Sequence, residues 1–152
     1  MSNVDFSEEA IIDAAPEVVM KTILNEIAGQ THWWIEMEQK VRGGPLSPGE
    51  TLENKTVDAV LHGMPTTRFT YKVVKLVEGK LIDTDTLEGP YVGKGVWSFE
   101  SVNGGKTLAK YTISGNTKGI WSLFPKSMGN KQHTKVTQNA FKLLSGFLNN
   151  KN

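Results

Sequence analysis

The stretch Thr134–Leu148, TKVTQNAFKLLSGFL, is the one long two-sided segment of the chain. At helical spacing Val136, Ala140, Leu143, Leu144 and Phe147 form a stripe flanked by Phe141 and Leu148, while Lys135, Gln138, Asn139, Lys142, Ser145 and Asn149 fall opposite. Such a helix must bury its stripe against something, and what precedes it is mostly strand-like runs broken by Gly, Asn and Pro. The expected fold class is α+β, a curved antiparallel sheet folded against a long C-terminal helix. Any space left between the two layers is the candidate functional site.

Val4–Ile12 reads as a first strand, with Val4, Phe6, Ala10 and Ile12 in phase and Glu8 out of place. Pro16 is preorganised for a first helical position and Glu17 favours the positive helix end. Val19, Met20, Ile23, Leu24 and Ile27 keep helical spacing. One or two short helices are expected over residues 16–34; a break at Asn25 and a stop at Gly29 give two. His32-Trp33-Trp34 follows. Adjacent side chains on a regular backbone diverge, so one tryptophan is expected to anchor the helix and the other to close a cavity mouth.

Six further strands are expected at residues 37–42, 50–61, 67–77, 81–87, 93–101 and 107–114, separated by Gly-, Pro- and Asn-bearing turns too short for helices. Phe69, Tyr71 and Val73 share a face, as do Trp97 with Phe99, and Ala109 with Tyr111 and Ile113. Arg68, Thr70, Lys72, Ser98, Lys110 and Thr112 point the other way, which makes that face wet. Residues 115–131 are irregular yet carry Ile120, Trp121, Leu123, Phe124 and Met128, so this segment is expected to lie over one end of the cavity.

With 152 residues and no shift in composition, one domain spanning residues 1–152 is expected. There is no cysteine, hence no thiolate chemistry or disulfide. No apolar run approaches the roughly 20 residues of a spanning helix. The first residues lack the pattern of a signal peptide, and a cytoplasmic location is the expectation. Arginine occurs only at Arg42 and Arg68, and net charge is +1, which argues against a nucleic-acid platform. All 16 acidic residues lie at or before Glu100, whereas residues 101–152 carry eight lysines. Either strands from both parts interleave and the asymmetry averages out, or a lysine-bearing surface around the last helix meets an anionic membrane, ligand or protein. Lys131 and Lys135, near the expected helix start, oppose the helix dipole.

The order of elements, with Ala15-Pro16-Glu17-x-Val19 after the first strand, resembles the START-like (SRPBCC) superfamily, which includes birch-pollen allergens, START domains and bacterial polyketide cyclases or dehydrases. The cyclase/dehydrase-like branch is similar in His32-Trp33-Trp34, in Leu61-His62-Gly63-Met64-Pro65, in residues 88–99 with their paired glycines, and in Gln132-His133-Thr134-Lys135-Val136. The resemblance implies the helix-grip fold and a cavity for a lipid, polyketide or similar hydrophobic molecule.

The first expectation for function is therefore binding of such a molecule in an apolar cavity of about 300–1,000 Å³. Trp34, Phe69, Tyr71, Trp97, Phe99, Tyr111, Trp121, Phe124, Phe141 and Leu144 are its candidate walls. The alternative is a cyclase or dehydratase using Tyr71 and His133 as acid and base, with Tyr111 and Arg68 in reach. A third is an anionic-membrane or protein-binding module. His32, His62 and His133 have no metal-ligand spacing, so neither metal nor cofactor is expected. Asp83 and Asp85 share one strand face, where exposed carboxylates are simply solvated. Gly93-Lys94-Gly95 precedes a strand and not a helix, which favours backbone crowding over phosphate binding.

Overall fold

The computed structural model describes residues 4–63, 66–117 and 126–149. Period-two patterning yields strands β1 (Val4–Ile12), β2 (Met37–Val41), β3 (Thr56–Leu61), β4 (Thr67–Val77), β5 (Leu81–Glu88), β6 (Tyr91–Val102) and β7 (Lys106–Thr117). Helix α1 (Pro16–Ile27) follows β1 and helix α2 (Lys126–Asn149) ends the described chain. The strands form one seven-stranded sheet in the order β1-β7-β6-β5-β4-β3-β2, antiparallel throughout. Five hairpin steps thus run from β2 to β7, and β1 closes beside β7, leaving β1 and β2 at the edges.

One face of this sheet is the core. Val57, Val73, Ile82 and Ala109 are fully buried on it, and α1 and α2 supply Val19, Ile23, Ala140, Phe141 and Leu144 against them. Glu8, the charged residue out of place on the inward face of β1, is explained by its partners on α2. Its carboxylate accepts from Thr134 Oγ1 at 3.1 Å and from Gln138 Nε2 at 2.8 Å, fastening the helix to the edge strand.

Four local readings are corrected. Residues 16–34 hold one helix: Ala28 caps α1, Gly29 turns the chain at φ +80°, and residues 31–33 run without regular structure. The strand expected from residue 50 begins at Thr56. Asn54 takes φ +69°, and its N–H donates to Val73 O at 2.6 Å, a turn incompatible with a straight strand. Helix α2 begins at Lys126, so Lys131 and Lys135 lie beyond its first turn and the dipole argument lapses. Its buried stripe is rotated as well. Thr137, Ala140, Phe141, Leu144 and Leu148 are inside, while Val136, Leu143 and Phe147 are only partly covered.

The paired glycines are a matter of crowding. Gly93 opposes Gly115 across β6 and β7, and a Cβ on Gly93 would stand 2.1 Å from Ser114 O, where no atom fits. Gly93 also holds φ +154°, a region that side-chain-bearing residues avoid. Only glycine lets the two strands meet this closely. On the outer face Lys94 Nζ lies between Asp85 (2.7 Å) and Asp83 (3.1 Å), which accounts for that pair of acids as a surface ion cluster.

Candidate functional site

The site begins with a carboxylate that sequence reasoning passed over. Glu26, near the end of α1, is only 4% exposed. Its Oε1 accepts from the Trp33 N–H at 3.0 Å and from Thr31 Oγ1 at 2.8 Å, and its Oε2 accepts from the Trp34 N–H at 2.9 Å. A segment without regular structure has backbone donors to satisfy, and Glu26 satisfies two of them. The strap is thereby held against α1. The Trp33 indole N–H donates to Thr22 O at 3.3 Å, adding a second tether.

Held in this way, both tryptophans turn into the core, and the expectation that they would divide between anchor and mouth is corrected. They stack with ring centroids 6.2 Å apart and planes 9° apart. The strand geometry that would separate them is absent here. From Trp34 the rings continue edge-on to Trp97 at 6.5 Å. Trp97 stacks on Tyr111 at 4.1 Å and meets Phe141 of α2 edge-on at 6.0 Å. Phe69 and Tyr71 form a further pair at 6.1 Å on β4.

These rings enclose a chamber lined by Trp33, Trp34, Phe69, Tyr71, Trp97 and Tyr111, with Glu26, Gln39, Thr84 and Thr86 as its polar members. Its volume is about 40 Å³, far below the 300–1,000 Å³ expected from a ligand-sized cavity. Side chains fill the interior because the aromatic residues pack on one another and leave only a water-sized gap between them. The chamber is not isolated, however. Glu26, Met37, Gln39 and Phe69 also line an open cleft of about 760 Å³ that reaches Thr31, His32, Arg68 and Gly89. A third space, a groove of about 1,060 Å³, runs along α2 between Leu61–Gly63 and the helix side bearing Lys131, Lys135 and Lys142.

Polar groups in the chamber are few and almost all paired. The Tyr71 hydroxyl donates to Gln39 Oε1, and Thr84 Oγ1 donates to Gly95 O at 2.7 Å. Tyr91 hydrogen-bonds with Thr86 and Tyr111. Burial raises the Tyr71 and Tyr111 phenols above the ordinary tyrosine value, so both stay protonated and act as hydrogen-bonding groups, not as bases. Gly95 makes room for this arrangement, since a Cβ there would come within 2.9 Å of Thr84 Oγ1 and 3.1 Å of the Tyr111 hydroxyl. Among the described residues one buried side-chain polar atom has no partner, the Trp34 indole nitrogen. Leaving a buried donor unpaired costs about 1–3 kcal/mol.

His133 sits elsewhere. It stacks on Phe6 at 4.4 Å and meets Tyr91 edge-on at 6.1 Å, beside a small cluster of Val4, Phe6, Tyr91 and Ile113. Burial among these groups lowers its pKa to about 4, so it is neutral near pH 7.

No protein-family model matches the sequence, and no curated sequence matches it. Solved structures do match. A START superfamily protein from Mycobacterium smegmatis aligns with a TM-score of 0.77 at 15% identity, covering 97% of this chain and 99% of that one. The chain has the START-like helix-grip fold. TTHA0849 from Thermus thermophilus aligns with a TM-score of 0.74 at 18% identity, covering 93% and 94% of the two chains. The Zhui aromatase/cyclase from a Streptomyces species aligns with a TM-score of 0.64 at 12% identity, covering 93% and 91%.

Within this START-like fold, Trp34, Phe69, Tyr71, Trp97 and Tyr111 come together around the chamber. Phe99 and Leu144 are core residues away from it, and Phe141 backs onto Trp97 while lining the groove along α2. Trp121 and Phe124 lie outside the described residues. Tyr71 and His133 do not line the same space: the chamber includes Tyr71 and leaves out His133. The missed participants are Glu26, Gln39, Thr84 and Thr86. Thr84 and Thr86 were legible as the polar alternates of β5 facing inward. Nothing local marks Glu26, whose role depends on a strap seven and eight residues on.

Proposed function

We propose that the chain binds a hydrophobic small molecule, with the leading apolar part in the aromatic chamber and the remainder in the adjoining cleft. The observation that carries this is the chamber itself: stacked rings around a buried indole N–H that lacks an acceptor, opening through Met37, Gln39 and Phe69 into a space of ligand size. A ligand oxygen placed there would accept from Trp34, and Gln39 and Tyr71 would orient a second polar atom. At about 40 Å³ the chamber admits a ligand only if a wall moves, and half-buried Phe69, shared with the cleft, is the residue placed to swing. The stacked rings that form the chamber walls favour a flat aromatic guest over a long acyl chain. Binding, and not turnover, is the reading the groups support, because His133 packs on Phe6 and Tyr91 away from the chamber that Tyr71 lines, and the buried phenols hold their protons.

The test is calorimetric titration with 2-acetylnaphthalene, a neutral aromatic ketone, alongside tryptophan emission. Saturable binding with altered emission is expected, and Trp34→Phe, which keeps an aromatic ring but lacks the donor, weakens it at least fivefold. No saturable heat and no emission change in the wild-type protein would overturn the proposal.

A further inference from the structure

The groove along α2 differs in character from the chamber. Lys131, Lys135 and Lys142 fall within a narrow sector of the helix, offset by four and eleven residues, and extend about 16 Å along its axis. All three are exposed, and none forms an ion pair among the described residues. Lys94, by contrast, is held between two acids. Glu36 is the one carboxylate lining the groove among the described residues; it accepts from Asn139 Nδ2 and keeps its charge, so three lysines stand against one acid. Between the lysines and the strands, half-buried Ala10, Leu61 and Val136 supply the apolar part of the lining, alongside the polar side chains of His62, Gln138, Asn139 and Ser145. An excess of positive charge along a concave, partly apolar groove is complementary to an anion that carries a hydrophobic body.

From this juxtaposition we infer a second binding site, separate from the chamber, for a free amphiphilic anion: a carboxylate or phosphate head on the lysines and an apolar tail along Leu61 and Val136. Concavity selects a single molecule over a bilayer, because a planar lipid surface would engage the lysines and leave about 1,060 Å³ of groove unfilled. The lysine stems themselves extend the apolar lining beside the tail.

Dodecanoate, titrated below its micellar concentration, is the probe. Dodecanol shares its tail without the charge, and butyrate shares its head without the tail. Dodecanoate is expected to bind at least tenfold more tightly than either, with affinity falling as salt rises from about 50 to about 500 mM. The combined variant Lys131→Gln, Lys135→Gln, Lys142→Gln loses tenfold or more, while the arginine counterpart at the same positions keeps the affinity. Since these side chains are exposed, an unchanged melting temperature shows that the fold is intact. Equal affinity for dodecanoate and dodecanol would overturn the inference, as would dodecanoate binding that survives the glutamine substitutions. So would retention on anionic vesicles without binding of free dodecanoate. Loss of dodecanoate binding in Trp34→Phe would place the anion in the chamber and remove the second site, whereas the ketone titration failing alone would leave this site standing.

Discussion

Removing the Glu26 carboxylate isolates what holds the tryptophan strap. In Glu26→Ala the Trp33 and Trp34 N–H groups lose acceptors at 3.0 and 2.9 Å, and Thr31 loses its partner at 2.8 Å. Each buried amide left unpaired costs about 1–3 kcal/mol. Because Glu26 also lines the open cleft, water can reach part of the gap, so the lower half of that range applies and the sum is about 2–4 kcal/mol. For a domain of this size about 1 kcal/mol moves the melting temperature by about 2–4 °C, giving a fall of about 5–15 °C. Glu26→Gln retains one acceptor oxygen but turns an NH₂ donor toward the other amide, and so loses about half as much. Thermal melts by circular dichroism measure the effect, with the near-ultraviolet band of the stacked Trp33–Trp34 pair as a local readout. A Glu26→Ala protein melting within about 2 °C of wild type, with that band intact, would refute the reasoning: the strap would then be held by packing alone.

Three other outcomes follow from the geometry. Gly93→Ala places a Cβ 2.1 Å from Ser114 O and is expected to destabilise by at least about 3 kcal/mol in chemical denaturation, whereas Gly95→Ala meets only side-chain tips and costs about 1–2 kcal/mol. Phe141→Ala removes the ring that backs Trp97 from α2 and is expected to cost about 3–5 kcal/mol. His133, held at about 4 by burial, remains neutral in the folded protein while the unfolded chain takes up a proton below about 6.5. Its contribution is therefore intact above pH 6.5, falls as pH drops from 6.5 toward 4, and is lost below that. Stability should decline by about 2 kcal/mol between pH 7 and pH 5 in wild type, with a visibly flatter profile in His133→Phe; equal slopes would contradict the burial.

How much of this was legible depends on the range of the interactions involved. The sheet was readable because alternation and turn residues are local: β4 at Thr67–Val77 matches the expected strand, and the hairpin order follows from short connections. The end of β3 nearest Asn54 was misread because its left-handed turn is stabilised by Val73 on another strand. Thr70 was assigned to the wet face by strict alternation. Register shifts in β4 bury it beside Tyr71, where its hydroxyl donates to Asp58 Oδ1 at 2.8 Å. The ring residues of the chamber were chosen by type and face, and five of them do meet around it. Its volume was not legible, since whether rings leave a hole depends on how they pack on one another, and no single position encodes that.

The contrast between chamber and groove bears on which wall would give way to the guest proposed for the chamber. On the helix side the chamber ends at Trp97, and behind it stands Phe141, 2% exposed and in contact with that ring. Moving that wall means displacing α2, which Glu8 fastens through Thr134 and Gln138 and Glu36 fastens through Asn139. On the strand side the wall is Phe69 with Met37 and Gln39, and beyond it lies the cleft, already open. Rotating one half-buried phenylalanine breaks no hydrogen bond, whereas lifting the helix breaks several and exposes Ala140, Phe141 and Leu144 to water. Entry from the cleft is the lower-cost route, so Phe69→Ala should speed ketone association measured by stopped-flow emission, while Glu8→Gln should leave that rate unchanged. Acceleration by the helix-loosening variant and not by Phe69→Ala would put the entrance on the other side.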